Sequence, residues 1–436
     1  MQFSEKVKDI QDTIANEDLS TYIGKVKRIS GMMIEATGSK YKIGEVCEIA
    51  TDAIGKTVRA EVVGFNDERV LLMPYEDIKG IGLGNVVKST KNKLKIPVGD
   101  FLIGRIVDAT GQPIDDGEEF ASEEYCYVDN EYINPLSRPR IDTTLSFGVK
   151  AIDGLLTIGK GQRMGIFAGS GVGKSTLLGM VAKNVKADIN VIALVGERGR
   201  EVREFIDKDL GEEGLKRSIL VIATSDQPAM LRVKCALVAT TIAEYFKDKG
   251  KDVLLMMDSL TRFAMAQREI GLATGEPPVA RGYTPSIYAE LPKLLERSGN
   301  FNTGSITGIY TVLVEGDDTN EPISDTVRGI VDGHIVLTRK LANSNHYPAI
   351  DINASISRLM NDIAEENHNE NAKKIRDILS VYYANYDLIS IGAYKKGTNL
   401  KLDEAINKID KVNDFLTQGV NDKYTYDEII TMMKDI

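Results

Sequence analysis

Nine residues, Ala168-Gly169-Ser170-Gly171-Val172-Gly173-Lys174-Ser175-Thr176, stand between the apolar run Met164-Gly165-Ile166-Phe167 and the helical stretch Leu177-Leu178-Gly179-Met180. A strand that turns through glycines into a helix points backbone N–H groups inward. It also puts the positive end of a helix at the turn, which makes a cradle for phosphate oxygens. In such a cradle Lys174 reaches the β- and γ-phosphates and Ser175 ligates Mg²⁺. Ala168 occupies the first position, where the strict pattern has Gly, a departure that removes no phosphate contact. The loop therefore predicts an α/β core that holds a nucleotide.

The surrounding sequence has the texture such a core requires. Between about Ile96 and Asn345, continuous apolar runs alternate with helical stretches, among them Val191-Ile192-Ala193-Leu194-Val195, Ile219-Leu220-Val221-Ile222, Val253-Leu254-Leu255-Met256-Met257 and Ile309-Tyr310-Thr311-Val312-Leu313-Val314. Runs that are apolar throughout are covered on both faces, which predicts a largely parallel sheet. Hydrolysis needs more than a phosphate loop: a second magnesium carboxylate, a group that activates water, and positive charge for the transition state. Asp258 follows one apolar run, where a Walker B aspartate belongs, because the C-terminal edge of a parallel sheet faces the ligand crevice. A second run leads into Gly196-Glu197-Arg198-Gly199-Arg200-Glu201, which places Glu197 at the same edge as a candidate base. Glu201 and Glu204 fall inside the following helix, where solvated or salt-bridged side chains are expected.

The flanks differ. Phe3, Val7, Ile10 and Ile14 recur at helical spacing, which predicts a short amphipathic helix over residues 1–18. From Tyr22 to about Thr90, short alternating runs separated by Gly, Asp and Asn predict a small antiparallel β-domain. From about Ala354, helical spacing returns in Ile375, Ile378, Leu379 and Tyr382 and again in Leu402, Ile406 and Ile409. At 436 residues the chain amounts to about three domains. Its 54 basic against 64 acidic residues leave a net charge of −10 and a pI near 5.2. With few basic residues interleaved with aromatics, this disfavours a nucleic-acid motor. Cys47, Cys126 and Cys235 are far apart, and His334, His346 and His368 are scattered, so neither a disulfide framework nor a metal cluster is suggested. No apolar stretch approaches the ~18 residues of a spanning helix, and a cytoplasmic location is expected.

Four segments occur in the order seen in rotary ATP synthase α/β-type subunits: the loop, Gly196 to Glu201, Asp258-Ser259-Leu260-Thr261-Arg262-Phe263-Ala264, and Pro348-Ala349-Ile350-Asp351-Ile352-Asn353-Ala354-Ser355-Ile356-Ser357-Arg358. Within that superfamily the chain most resembles flagellar protein export ATPases and their type III secretion relatives. This resemblance is carried by Gly161 to Ser170, Glu201-Val202-Arg203-Glu204-Phe205, Arg281-Gly282-Tyr283-Thr284-Pro285-Ser286 running to Arg297, and Asp332-Gly333-His334-Ile335-Val336-Leu337. The Thr-Arg-Glu-Gly-Asn string that follows the catalytic Glu in synthase β subunits is absent here.

The resemblance implies a P-loop, RecA-like core with an N-terminal small β-barrel and a C-terminal helical domain. The expected boundaries are 1–18 for a partner-binding helix, 19–92 for an oligomerising barrel, 93–347 for the ATPase domain and 348–436 for the helical domain. It implies ATP and Mg²⁺ as cofactors, with Lys174 and Ser175 on phosphate and metal, Asp258 as the Walker B acid and Glu197 as the general base. Arg198 is expected on phosphate, Tyr347 against adenine, and Arg358 as an arginine finger entering the neighbouring protomer's site. A finger that acts in trans makes turnover depend on assembly, and the resemblance makes the ring a homohexamer. The expected partners are a stator-like regulator on the N-terminal helix, a coiled-coil stalk in the ring centre, and substrate–chaperone complexes. The expected place is peripheral to the membrane, at an embedded export gate. The alternative assembly is the catalytic subunit of a rotary ATP synthase.

Overall fold

A computed structural model of the chain describes residues 20–38, 40–53, 55–128, 134–314 and 321–436. The predicted helix over 1–18 lies outside the described residues. The chain divides into two compact units, one running through Leu94 and the other spanning Lys95–Ile436.

The first unit is a closed barrel of six antiparallel strands: β1 (Ile23–Ser30), β2 (Met33–Thr37), β3 (Glu45–Ala50), β4 (Thr57–Asn66), β5 (Arg69–Pro74) and β6 (Val86–Lys93), in the order β1-β2-β5-β4-β3-β6. Alternating side chains turn Val26, Ile34, Ala36, Cys47, Ile49, Ala60, Val62, Val70, Leu72 and Val87 into one core. The pairing of Ile23–Lys25 with Val86–Lys88 closes the ring, so no strand is left with an unpaired edge.

The second unit is built on a sheet whose strands are β7 (Ile106–Asp108), β8 (Arg163–Ala168), β9 (Ile189–Glu197), β10 (Ser218–Thr224), β11 (Asp252–Asp258), β12 (Ser305–Leu313), β13 (Gly333–Leu337) and β14 (Ile356–Ser357). Their order is β14-β13-β8-β12-β11-β9-β10-β7, parallel throughout except for β14, and a short ninth strand, Gly299–Asn300, pairs antiparallel with β12. Every residue of β9 is buried, which is why that strand reads as a continuous apolar run. Around the sheet pack α1 (Lys174–Asn184), α2 (Gly199–Glu204), α3 (Ala229–Asp248), α4 (Leu260–Ala273), α5 (Pro285–Leu295) and α6 (Pro322–Ile330).

The C-terminal helices α7 (Glu366–Ala384), α8 (Leu400–Leu416) and α9 (Tyr426–Met433) share one hydrophobic core with the sheet, through Ile375, Leu379, Ile409, Val412, Phe415 and Ile429. Polar contacts fix the join. Arg376 Nη2 donates to the Leu155 carbonyl at 2.7 Å, and Gln418 Oε1 accepts Lys150 N at 2.8 Å. His368 is buried, with Nε2 2.7 Å from the Gly154 carbonyl and Nδ1 3.1 Å from the Tyr426 hydroxyl. It is a packing residue.

Candidate functional site

The glycine turn follows β8 and runs into α1. Gly171 and Gly173 have φ of 77° and 88°, the left-handed region where a Cβ brings strain, so the chain can reverse within a few residues. Val172 buries its side chain in the core and anchors the turn, whereas Ser170, Gly171 and Ser175 are exposed. Ala168 and Gly169 are buried at the strand end, and the half-buried Thr176 hydrogen-bonds Asp209. The Tyr347 ring lies against the turn: a Cβ on Gly173 would come 3.4 Å from Tyr347 Cε1. Tyr347 is 39% exposed, and its carbonyl accepts Gln418 N at 2.9 Å.

Two strand ends meet at Lys174. Its Nζ donates to Oδ1 of Asp258, the last residue of β11, and stands 3.8 Å from Oε1 of Glu197, the last residue of β9. These two strands are neighbours, with Leu194 in register with Asp258, so both carboxylates leave the sheet at the same edge. Strand β12 lies between the loop strand and β11, and its Thr311 hydroxyl donates to the same Asp258 Oδ1 at 2.7 Å. Beyond Asp258, Ser259 caps α4 by accepting Arg262 N, and Thr261 Oγ1 accepts Leu313 N at 2.9 Å, which ties α4 to β12.

Glu197 is buried. Desolvation first, and then the negative charge of Asp258, push its carboxyl from the ordinary 4.5 to about 7 against the pull of Lys174. A hydrogen bond shared with Glu201 acts in the same upward direction. Glu197 Oε1 is buried without a hydrogen-bond partner. A buried acceptor in that condition can take a hydrogen from a molecule entering the cavity.

Above these groups opens a cavity of about 850 Å³, within the range of small-molecule sites. The turn, Lys174, Ser175, Glu197, Arg198 and Asp258 line it. Arg198 is exposed and pairs with Glu201 at 3.4 Å, and Glu204 pairs with Arg200 at 3.2 Å, so both helix glutamates are engaged as surface partners. Arg358 does not line this cavity. It is exposed, its backbone N–H donates to the Asp332 carbonyl at 3.0 Å, and its Nη2 donates to the Arg328 carbonyl at 3.3 Å. The structure thus gathers the loop, Lys174, Ser175, Glu197, Arg198 and Asp258, sets Tyr347 beside Gly173, and places Arg358 elsewhere on the chain.

Sequence reasoning passed over Thr311, Arg262, Tyr283 and Glu321, of which the last three line the cavity. For Thr311 the sequence offers no signal, since a threonine inside an apolar run reads as a strand former. For Arg262 the signal was its place four residues after Asp258, on the first turn of α4.

Comparison with known proteins agrees with this architecture. Residues 148–357 match the family model of the ATP synthase alpha/beta nucleotide-binding domain, residues 26–91 that family's beta-barrel domain, and residues 364–435 the C-terminal domain of the type III secretion ATPase EscN. The flagellum-specific ATP synthase of Bacillus subtilis is 54% identical over 432 residues, covering 99% of both chains. The type 3 secretion system ATPase of Xanthomonas euvesicatoria is 47% identical, covering 95% of this chain and 93% of its own. The solved structure of the assembled ATPase EscN from enteropathogenic E. coli superposes with a TM-score of 0.90 at 46% identity, over 94% of this chain and 99% of that one. A further structure holds EscN in complex with its central stalk EscO, with a TM-score of 0.88 at 45% identity over the same shares. The chain belongs to the ATP synthase alpha/beta family and, within it, to the flagellum-specific and type 3 secretion ATPases.

Proposed function

We propose that the chain hydrolyses MgATP to ADP and phosphate as a protomer of a homohexameric ring, and that the ring assists export of flagellar or other type III substrates. One observation carries the reading: Lys174 stands between Asp258 and Glu197 at the mouth of a glycine turn, with all three on one chain. A single kind of subunit therefore holds the phosphate lysine, the metal acid and the base.

The residues present fit a magnesium nucleotide. Asp258 already faces a cation, the Lys174 ammonium, and Ser175 offers an exposed hydroxyl in the first turn of α1. Hydroxyl and carboxylate oxygens are the hard ligands Mg²⁺ selects, so Ser175 and Asp258 would hold it. When bound, the ion neutralises charge on the β- and γ-phosphates. The backbone from Gly169 to Gly173 and Lys174 cradle the phosphates, with Arg198 as a further contact. Tyr347 supports the base. Glu197 takes a proton from the attacking water as its oxygen bonds to the γ-phosphorus and the bond to ADP breaks. Arg358, away from its own cavity, serves the adjacent protomer.

Domain roles follow from the same reading. Residues 19–92 hold protomers together, 93–347 carry the chemistry, 348–436 meet a coiled-coil stalk, and 1–18 bind a stator-like regulator. The EscN structures, one assembled and one with its central stalk, support the ring and the stalk. No helix among the described residues is long and apolar enough to cross a membrane. On this reading the ring attaches peripherally to an embedded export gate on the cytoplasmic side, and substrate–chaperone complexes are delivered there. Family membership favours export over the rotary synthase alternative, because the C-terminal segment matches the secretion ATPase model.

Glu197→Gln tests the chemistry. It should leave MgATP binding intact while hydrolysis falls about 100-fold or more, the worth of a general base. Wild-type turnover in that variant would overturn the assignment.

A further inference from the structure

Helix α6 is nine residues long, about 13 Å at 1.5 Å per residue, and its ends meet different parts of the chain. Its N-cap is Glu321, which is 9% exposed and lines the nucleotide cavity. Short side chains are the usual N-caps, because they turn back on the backbone with no length to spare. Glu321 caps at long range, its Oε2 accepting Ser324 N at 3.3 Å and Ser324 Oγ at 3.4 Å. The same carboxylate faces Tyr283, a buried residue of the cavity wall whose hydroxyl it interacts with and whose ring lies 6.0 Å from the Arg268 guanidinium.

At the other end, the Arg328 carbonyl in the last turn of α6 accepts Nη2 of Arg358, and Asp332, just beyond the helix, accepts the Arg358 backbone N–H. Asp332 is itself fixed to the start of β8, since its carboxylate accepts Arg163 Nε and Nη2 at 3.1 Å each. Ile323 and Val327 bury the inner face of the helix, which lies between these two ends.

We infer that α6 links a chain's own nucleotide cavity to the placement of that chain's Arg358, with Glu321 as the positioning residue. The inference rests on the proposed reading of Arg358 as a finger for the adjacent protomer. Glu321 divides its carboxylate between the cavity wall and the positive N-terminus of α6. A triphosphate in the cavity brings negative charge toward that carboxylate and favours its place on the helix. A ligand biases only states it can tell apart, and the charge of Glu321 supplies the distinction. Occupancy of one site thereby sets the finger offered to the next.

A double-mutant cycle tests this on the assembled full-length protein, with hydrolysis measured against ATP concentration for wild type, Glu321→Gln, Arg358→Ala and the pair. Gln keeps the length and the cap acceptor but not the charge. Glu321→Gln should slow turnover about tenfold and remove cooperativity in ATP, while ADP binding to the unassembled protomer stays within about twofold. Tyr283→Phe, which keeps the packing, should remove the cooperativity as well. In the Arg358→Ala background, Glu321→Gln should add less than about twofold. If Arg358→Ala is slow and Glu321→Gln still costs its full factor on top, the link is wrong and the finger stands. If Arg358→Ala turns over at the wild-type rate, the finger assignment falls and the link falls with it.

Discussion

Thr311 donates its hydroxyl to Asp258 Oδ1 at 2.7 Å, from the strand that separates the loop strand from the one ending in that aspartate. Lys174 donates to the same oxygen, so one carboxylate oxygen is oriented from a strand of the sheet and from the first residue of α1. Thr311→Val keeps the shape and removes one donor. With Lys174 still in place, the loss should lie near the low end for a bond to a charged group, about 1.5 kcal/mol in urea unfolding. Hydrolysis should fall further than stability implies and recover in Thr311→Ser, because the carboxylate is then oriented again. An unchanged urea midpoint together with unchanged turnover would remove Thr311 from the site.

The raised pKa of Glu197 gives the reaction an acid limb. A base must be ionised to accept a proton, so kcat/KM should climb as pH rises through about 7 and level off above it. The stability linkage has the opposite sign. Between the ordinary 4.5 and about 7, the folded state holds a proton that the unfolded chain has lost. The contribution of Glu197 to stability is thus fully present below 4.5 and is lost as pH rises through 7. Matched pH profiles of hydrolysis and thermal unfolding check both signs, and a rate that is flat from pH 5.5 to 9 would contradict the first.

The part of this site that is legible in the sequence is the part built from strand ends. Glu197 and Asp258 each close a continuous apolar run, and a parallel sheet brings such ends to one edge, so their meeting with Lys174 follows from topology alone. Thr311 is hidden for the same reason the strands are visible: inside an apolar run a threonine reads as a strand former, and its partner lies 53 residues away. Glu321 and Tyr283 are hidden because their contact depends on how α6 packs against the cavity wall, which no local spacing encodes. The barrel is legible as antiparallel texture, but its closure depends on the pairing of β1 with β6 across the length of the domain.

The Tyr347 ring lies against Gly173 at the phosphate turn, so its proposed work on the base is stacking. Tyr347→Ala should raise the KM for ATP roughly tenfold with kcat nearly unchanged, since stacking acts alike on ground and transition states. Tyr347→Phe keeps the ring and should behave as wild type. A loss confined to kcat would place Tyr347 in the chemistry instead.

Arg297 is 1% exposed and does not line the cavity. Its Nε and Nη2 donate to the two carboxylate oxygens of Glu244 at 2.8 and 2.6 Å, and Nη2 also reaches Thr241 Oγ1 at 2.9 Å. The pair joins the end of α5 to α3. Arg297→Ala leaves a carboxylate without its counterion and should destabilise the fold by about 3–5 kcal/mol in denaturant unfolding. Replacing both partners with apolar residues of similar size should recover much of that loss, because no unpaired charge then remains.

Gly179 sets helix propensity against packing. Within α1, alanine is favoured over glycine by about 1 kcal/mol, so propensity alone makes Gly179→Ala stabilising. A Cβ there would stand 2.5 Å from the Asp209 carbonyl oxygen and 2.8 Å from Asp209 Cβ. A backbone carbonyl cannot swing aside as a side chain can, so the helical segment Phe205–Leu210 must move as a whole. Overpacking of this kind costs about 1–3 kcal/mol and should exceed the propensity gain. The displaced Asp209 also hydrogen-bonds Thr176 at the start of α1, so the strain reaches the phosphate turn. Gly179→Ala should therefore lower both the melting temperature and the further rise that saturating ATP confers. A higher melting temperature would mean that α1 and the 205–210 segment do not approach as closely as the structure places them.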